Sequence, residues 1–334
     1  MKRSGGFAAF LDGFAAVRLL LAGCLAATAM TCSAANPAEK LLGAKRIVFL
    51  GDSITQGGDY VTDVECWLLA QGVQVEVLNL GLGSETASDL TLEENAAHVK
   101  KYGFGRPFVS ERLARVLAAT KPDWIFVCYG MNDGGSLTAD EAGTKRFAEA
   151  VTRLREAALQ AGVKHVVLCT PPAHDAKSEV AQQFHDQNLT RYAAWLVSKR
   201  ADGWEIVDIH TPFRAALDAR RAQDPTFEFA KDGVHPGREG HWVMAREILS
   251  QTFGAPLKDV ADAEDLFPSR GAEIRALVRE RMVLLFSAWM TQIGHGRPGV
   301  AGGPGAKPGP TVAAANATAA GLTQKIQRLL DGRP

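Results

Sequence analysis

The chain has 334 residues, of which 46% are hydrophobic, and this is enough to build a sizeable buried core. Its 37 basic residues balance its 37 acidic residues, so the formal net charge is zero. The sequence also shows no basic stripe of the kind that nucleic-acid-binding proteins usually carry, so no nucleic-acid partner is predicted.

The N-terminal segment 1–35 has the pattern of an export signal. Basic residues precede an apolar run over 19–30, and small residues over 31–35 favour cleavage after Ala35. The run has about 12 residues, fewer than the roughly 20 that a membrane-spanning helix requires, so no integral membrane span is predicted. The motif Leu-Ala-Gly-Cys offers an alternative, a lipoprotein anchored at Cys24. Both readings place the mature protein outside the cytoplasm, in the periplasm or beyond the cell.

Three cysteines remain after cleavage at Ala35, namely Cys66, Cys128 and Cys169. An odd number without short spacings argues against a disulfide framework and against a zinc site. We expect buried free thiols, with a Cys128–Cys169 bridge as the alternative if their strands are neighbours. No metal and no cofactor is predicted.

From residue 45 onward, apolar segments typical of strands alternate with segments of helical periodicity. The strands are predicted within 46–52, 73–81, 123–130, 163–172 and 203–210, and the helices within 61–71, 108–120, 138–162, 178–201 and 237–254. Thr138 and Glu141 have the spacing of a capping box at the start of the third helix. This alternation predicts an α/β domain over 36–254 with a parallel sheet covered on both faces.

Three further segments follow that domain. Residues 255–295 are predicted to form a helical extension, with an amphipathic helix over 272–293. Residues 296–320 are rich in Gly, Pro and Ala and are typical of a linker, and 321–334 has the apolar spacing of a short terminal helix.

Candidate catalytic residues follow the predicted strands, where ligand sites of parallel sheets lie. Ser53 comes directly after the first strand, and Asp232 precedes His235 by three residues in a later loop. A serine hydroxyl needs a base to act as a nucleophile, and a carboxylate can orient the imidazole that serves as that base. The alternative is that Ser53 caps a helix, Asp232 caps a turn, and His235 is a solvated loop residue.

A second set of residues has the chemistry of an oxyanion hole. The Asn132 amide follows the third predicted strand, and the Gly83–Ser84 turn follows the second. Asn132, the backbone N–H of Gly83 or Ser84, and the N–H of Ser53 itself can donate to an oxyanion. The alternative for Asn132 is an ordinary turn residue.

The motifs GDSIT, GLGSET, GMND and DGVH occur in this order over residues 45–252, and together they resemble the SGNH hydrolases, also called the GDSL family. The resemblance implies a flavodoxin-like three-layer α/β/α fold around a five-stranded parallel sheet. It implies Ser53 as nucleophile, His235 as base, Asp232 as its orienting carboxylate and Asn132 as oxyanion donor. Ser84 stands where the family usually has a glycine donor.

The implied reaction is ester hydrolysis through an acyl-enzyme on Ser53. We expect a short-acyl substrate, with acetyl groups on a carbohydrate as the first choice. A lipid-directed acylhydrolase (lipase, lysophospholipase or thioesterase) is the alternative, followed by a non-catalytic carbohydrate-binding protein. The oligomeric state is left open.

Substrate contacts are predicted for polar side chains near these strand ends and after the C-terminal helix: Asp52, Asp59, Tyr60, Arg106, His174 and His295. Arg297 also follows that helix. A substrate contact is one interpretation of this residue, and the alternative is that the end of the helix simply packs on the core. Asp208 and His210 alternate as they would on one face of a strand, which makes them a rival Asp–His pair.

Overall fold

In the computed structural model, which describes residues 37–175 and 180–332, five parallel strands form one sheet. The strands are β1 Arg46–Gly51, β2 Glu76–Asn79, β3 Trp124–Cys128, β4 His165–Cys169 and β5 Glu205–Val207. Their order across the sheet is β2-β1-β3-β4-β5, with every neighbouring pair parallel. This is the flavodoxin-like order, and it confirms the predicted fold class. The predicted export signal and Cys24 lie outside the described residues.

Strand β1 shows why the sequence gives an uninterrupted apolar run here. Ile47, Val48, Phe49 and Leu50 are all 0% exposed, although successive side chains of a strand point to opposite faces of the sheet. Helices therefore cover both faces, and both must be met by apolar side chains. Cys66, Cys128 and Cys169 are free and buried, as expected, although β3 and β4 align the last two as direct neighbours.

The described residues contain eleven α-helices. They are α1 Ser53–Gly57, α2 Asp59–Ala70, α3 Leu92–Tyr102, α4 Leu113–Thr120, α5 Met131–Gly134, α6 Glu141–Gln160, α7 Val180–Ser198, α8 His210–Gln223, α9 Arg238–Phe253, α10 Gly271–Ile293 and α11 Val312–Leu330. None of them combines the length and the apolarity that crossing a bilayer requires. Short 3₁₀ turns cover Pro37–Leu41, Val109–Glu111, Lys199–Asp202 and Ala263–Leu266.

Two local predictions are wrong. The cap of α6 is Asp140, whose carboxylate accepts from Gly143 N at 2.8 Å, while Thr138 donates its hydroxyl to Asp140. The predicted strand over 203–210 ends at Val207, because His210 already begins α8. Asp208 and His210 therefore do not lie on one face of a strand, which is the basis of the rival Asp–His pair.

The predicted linker over 296–320 is also wrong in its second half. Helix α11 begins at Val312, capped by the Thr311 hydroxyl, which accepts from Ala314 N at 3.2 Å. The sequence 313–320 is rich in alanine, the strongest helix former, and the spacing of its small residues suits close packing. Ala315 and Ile326 are buried in the same core as the sheet.

The helical extension is fixed to α2 by ion pairs that are largely shielded from water. Arg275 binds Asp63 at 2.7 Å and Asp59 at 2.9 Å, and Arg281 binds Glu65 at 2.8 Å. Removing one partner of a buried pair usually costs about 3–5 kcal/mol, because the other charge stays buried and unpaired. The extension is thus an integral part of the fold and not a loose appendage.

Candidate active site

Ser53 lies where β1 ends and α1 begins, at the carboxyl edge of the sheet. Asp52, not Ser53, caps this helix, since its Oδ1 accepts from Ile54 N at 2.9 Å. Gly51 must be a glycine, because a Cβ there would collide with Thr55 Oγ1 and the Cys128 carbonyl. The Ser53 hydroxyl is therefore left free of the capping role that was its structural alternative.

The Ser53 hydroxyl faces a histidine held by a carboxylate. Ser53 Oγ lies 2.7 Å from His235 Nε2, and His235 Nδ1 lies 2.6 Å from Asp232 Oδ2. An ionised carboxylate only accepts hydrogen bonds, so Nδ1 carries the proton and Nε2 presents its lone pair to the Ser53 O–H. This is the tautomer that a general base requires.

Asp232 combines the two roles that the sequence left as alternatives. Its Oδ1 accepts from Val234 N at 2.9 Å and from His235 N at 2.8 Å, which closes the turn, while Oδ2 orients the imidazole. Partial burial acts to raise the pKa of this carboxyl, but these hydrogen bonds prevail and lower it to about 2. The carboxylate is therefore ionised throughout the pH range in which an esterase works.

The loop that carries Asp232 and His235 is supported from behind. Gly233 has φ +79°, and a Cβ there would lie 2.9 Å from His174 Cε1. The Asp175 N–H also donates to the Gly233 carbonyl at 2.9 Å. A side chain at this position would push the catalytic loop away from the end of β4.

The glycine turn after β2 presents one free backbone donor. The Gly83 N–H donates to Gln56 Oε1 at 2.6 Å and is therefore engaged. The Ser84 N–H makes no hydrogen bond within the described part of the chain, and Ser84 adopts φ +67°. The Ser53 N–H, as the first of α1, has no partner inside its helix. Ser84 and Ser53, not Gly83, thus supply the candidate backbone donors.

Asn132 lies on α5, just after β3, and its amide is held in one orientation. Its Oδ1 accepts from Arg106 Nη1 at 2.6 Å, and its Nδ2 donates to the Glu85 carbonyl at 2.9 Å. A guanidinium has donors only, so Arg106 fixes which end of the amide is oxygen. The second Nδ2 hydrogen is left for a ligand.

Two of the predicted substrate contacts are wrong because their side chains are buried. The carboxyl of Asp52 is 3% exposed and caps α1, and Tyr60 is 1% exposed, with its hydroxyl 2.8 Å from Thr55 Oγ1. Burial raises the pKa of Asp52 to about 7, against an ordinary value of 3.8, even though the Ile54 N–H acts to lower it.

Three more of these predictions find no support, because Asp59 and His295 are engaged within the fold and His174 is buried. Asp59 pairs with Arg275 and also with Arg279, at 2.6 Å. His174 is buried behind the catalytic loop, and His295 Nε2 bonds to the Ala301 carbonyl at 2.8 Å within the turn after α10. Periodicity and strand-end position cannot reveal such long-range partners.

The rival Asp–His pair does not form. Asp208 Oδ1 accepts from Thr170 Oγ1 at 3.2 Å, whereas His210 Nε2 lies 3.2 Å from Thr190 Oγ1. Of the six predicted substrate contacts, Arg106 alone lies against a candidate oxyanion donor. Sequence reasoning missed Gln56, since nothing in its spacing shows that it binds the Gly83 N–H.

An α/β/α fold with a Ser–His–Asp arrangement at the carboxyl edge of its sheet defines a serine hydrolase. Comparison with protein families matches residues 49–243 to the GDSL-like Lipase/Acylhydrolase family. The chain belongs to this family and is a serine ester hydrolase. The search of curated proteins returned no match.

Two solved structures are similar to part of this chain. A gut microbial diltiazem-metabolizing enzyme is 21% identical, with a TM-score of 0.46 over 63% of this chain and 47% of that chain. The match therefore spans about half the length of that enzyme. A catalytic mutant of Axe2, an acetylxylan esterase from Geobacillus stearothermophilus, is 20% identical, with a TM-score of 0.46 over 62% of this chain and 94% of that one.

Proposed function

We propose that this protein hydrolyses short-acyl esters, acetyl esters first, of a polar substrate such as a carbohydrate, through an acyl-enzyme on Ser53. The observation that carries the proposal is the 2.7 Å contact between Ser53 Oγ and His235 Nε2, with Asp232 behind the imidazole. This distance is within hydrogen-bond range for proton transfer from the attacking hydroxyl.

The residues support a two-stage reaction. His235 takes the Ser53 proton as Oγ attacks the acyl carbonyl, and the oxyanion is held by Asn132 Nδ2 and the N–H groups of Ser84 and Ser53. His235 then returns the proton to the leaving alkoxide, which departs as an alcohol. In the second stage His235 takes a proton from water, the hydroxide attacks the acyl-enzyme, and Ser53 leaves with the proton.

The surroundings of the triad support a polar substrate. The side chains of His235 and Asp232 are 50% and 57% exposed, so the site opens directly to solvent. A groove of about 490 Å³ adjoins both residues, and its lining combines Phe227 with the charged side chains of Lys231 and Arg238. Charged side chains beside a site that is open to solvent suit a substrate with polar hydroxyls.

The experiment compares Ser53→Ala with the wild type on p-nitrophenyl acetate, and follows labelling by a fluorophosphonate probe. We expect the variant to lose hydrolysis and labelling while its circular dichroism is unchanged. Ser198→Ala is the matched control, since Ser198 ends α7, is exposed, and its hydroxyl donates to the Trp195 carbonyl three residues earlier. Full activity of Ser53→Ala would refute the mechanism, and a wild-type rate optimum at C8 or longer acyl chains would favour a lipid substrate instead.

A further inference from the structure

Two arginines approach the Gly83–Ser84 turn, which carries a candidate oxyanion donor. Arg106 Nη1 lies 2.6 Å from Asn132 Oδ1 and 3.4 Å from the Ser84 carbonyl. Arg297 Nε approaches so closely that a Cβ on Gly83 would lie 3.2 Å from it. The Arg297 guanidinium also stacks over the ring of Phe104 at 4.8 Å.

Neither guanidinium has an acidic partner within ion-pair distance among residues 37–175 and 180–332. Both are partly buried, and burial lowers the pKa of each. The Nε of Arg297 is itself buried and without a hydrogen-bond partner in this part of the chain. A buried donor without a hydrogen-bond partner costs free energy that a bound anion would recover.

Two other buried arginines of this protein are neutralised by carboxylates. Arg112 binds both carboxylate oxygens of Glu85 at 2.6 Å, and Arg281 binds Glu65 at 2.8 Å. In both cases the opposite charge comes from within the fold. Arg297 departs from this arrangement beside the turn that carries a candidate oxyanion donor. Arg155 also has a buried Nε without a partner among the described residues, but its guanidinium lies over Trp204. Arg106 has no ion pair either, although the carboxyls of Asp133 and Asp52 oppose the lowering of its pKa by burial.

We propose that Arg106 and Arg297 bind an anionic group of the ester substrate, most simply a carboxylate, beside the acyl carbonyl. This inference rests on the proposed esterase function and deepens it by naming a substrate class. Guanidinium groups suit carboxylates because they offer planar pairs of donors and stay charged. Gly83 contributes by letting Arg297 approach the turn this closely, since a Cβ there would lie 3.2 Å from Arg297 Nε.

The two arginines are not equivalent as test positions. Arg106 also orients Asn132, so its removal disturbs the candidate oxyanion hole as well as any anion site. Arg297 makes no hydrogen bond to Asn132 or to the triad among the described residues, and it follows the segment 49–243 that matches the family. Arg297 is thus the position at which anion recognition can be tested with least effect on the chemistry.

The experiment measures kcat/KM for two matched ester pairs, one for each possible location of the carboxylate. For the acyl side, p-nitrophenyl hemisuccinate is compared with p-nitrophenyl butyrate. For the alcohol side, acetylated methyl glucuronoside is compared with acetylated methyl glucoside. We expect the wild type to favour the anionic member of one pair by about 10- to 100-fold, the effect of one charge-assisted hydrogen bond. The pair that shows the preference locates the carboxylate.

In Arg297→Gln we expect this preference to fall by about tenfold, and in Arg297→Lys to be partly kept. Arg328→Gln is the matched control, because Arg328 is an exposed residue at the end of α11, and its ratio should equal that of the wild type. Melting curves establish that each variant is folded. Equal rates on both members of each pair, or an unchanged ratio in folded Arg297→Gln, would overturn the anion site. Failure of the wild type on every ester would overturn the esterase proposal itself.

Discussion

The buried carboxyl of Asp52 gives the sharpest test of the electrostatics around the nucleophile. Burial raises its pKa to about 7, against an ordinary value of 3.8. In the unfolded chain this carboxyl ionises above pH 3.8, whereas in the folded protein it keeps its proton to about pH 7. The folded state therefore binds the extra proton in this window, and the stability of the protein falls as the pH rises through it.

The pKa difference sets the size of the effect. It corresponds to roughly 4 kcal/mol of unfolding free energy once Asp52 is ionised in both states. Between pH 5 and pH 8 alone, about 3 kcal/mol of this loss occurs. Asp52→Asn removes the titration but keeps an oxygen that can cap the Ile54 N–H. From pH 5 to pH 8, the unfolding free energy of the variant should therefore rise by about 3 kcal/mol relative to that of the wild type.

Urea unfolding of both proteins at pH 5 and pH 8 measures this gain. Any fixed packing cost of the amide is the same at both pH values and cancels in the comparison. Asp140→Asn is the matched control, because Asp140 also caps a helix, but it is exposed and hydrogen bonds lower its pKa. The Asp140 carboxylate loses its stabilising effect only in acid. The difference in unfolding free energy between Asp140→Asn and the wild type should therefore not change between pH 5 and pH 8. The reasoning fails if the Asp52→Asn difference is equally constant.

Two further predictions concern catalysis by the proposed esterase. Asn132→Ala removes one oxyanion donor and should lower kcat on p-nitrophenyl acetate by roughly 10²–10³-fold with a smaller change in KM, and a change in KM alone would contradict that role. Asp232→Asn should lower kcat by roughly 10⁴-fold, because an amide can stabilise the wrong imidazole tautomer. Asp208→Asn is its control and should keep wild-type kcat, since Asp208 belongs to the pair that does not form; a loss there equal to that of Asp232→Asn would undo the assignment.

The sheet and the triad were predictable because their signals are local. A strand buried on both faces reads as an apolar run, and the carboxyl ends of parallel strands meet at one edge, so residues such as Ser53 and Asn132 are brought together by topology alone. Asp232 and His235 share one loop, so their pairing needs only a three-residue turn.

The predictions that failed concern residues whose partners are distant in sequence. Asp59 is a predicted substrate contact, but its partners Arg275 and Arg279 lie more than 200 residues away in the sequence, on α10. The sequence predicts too short a terminal helix because Gly and Pro dominate the segment before α11. The burial of Ala315 and Ile326 that stabilises α11 comes from tertiary packing.

Ser84 links the candidate oxyanion turn to Arg297, which follows α10. A serine with φ +67° bears a backbone cost of about 1–3 kcal/mol that a glycine would not. Its hydroxyl recovers part of this cost by bonding to His98 Nε2 at 3.2 Å, since His98 Nδ1 donates to the Phe104 carbonyl at 2.9 Å and leaves Nε2 as the acceptor. The ring of Phe104 in turn packs under Arg297. The serine in place of the family's usual glycine thus ties a backbone donor for the oxyanion to the residue that we propose selects the substrate. A glycine at this position would keep the donor and lose that connection.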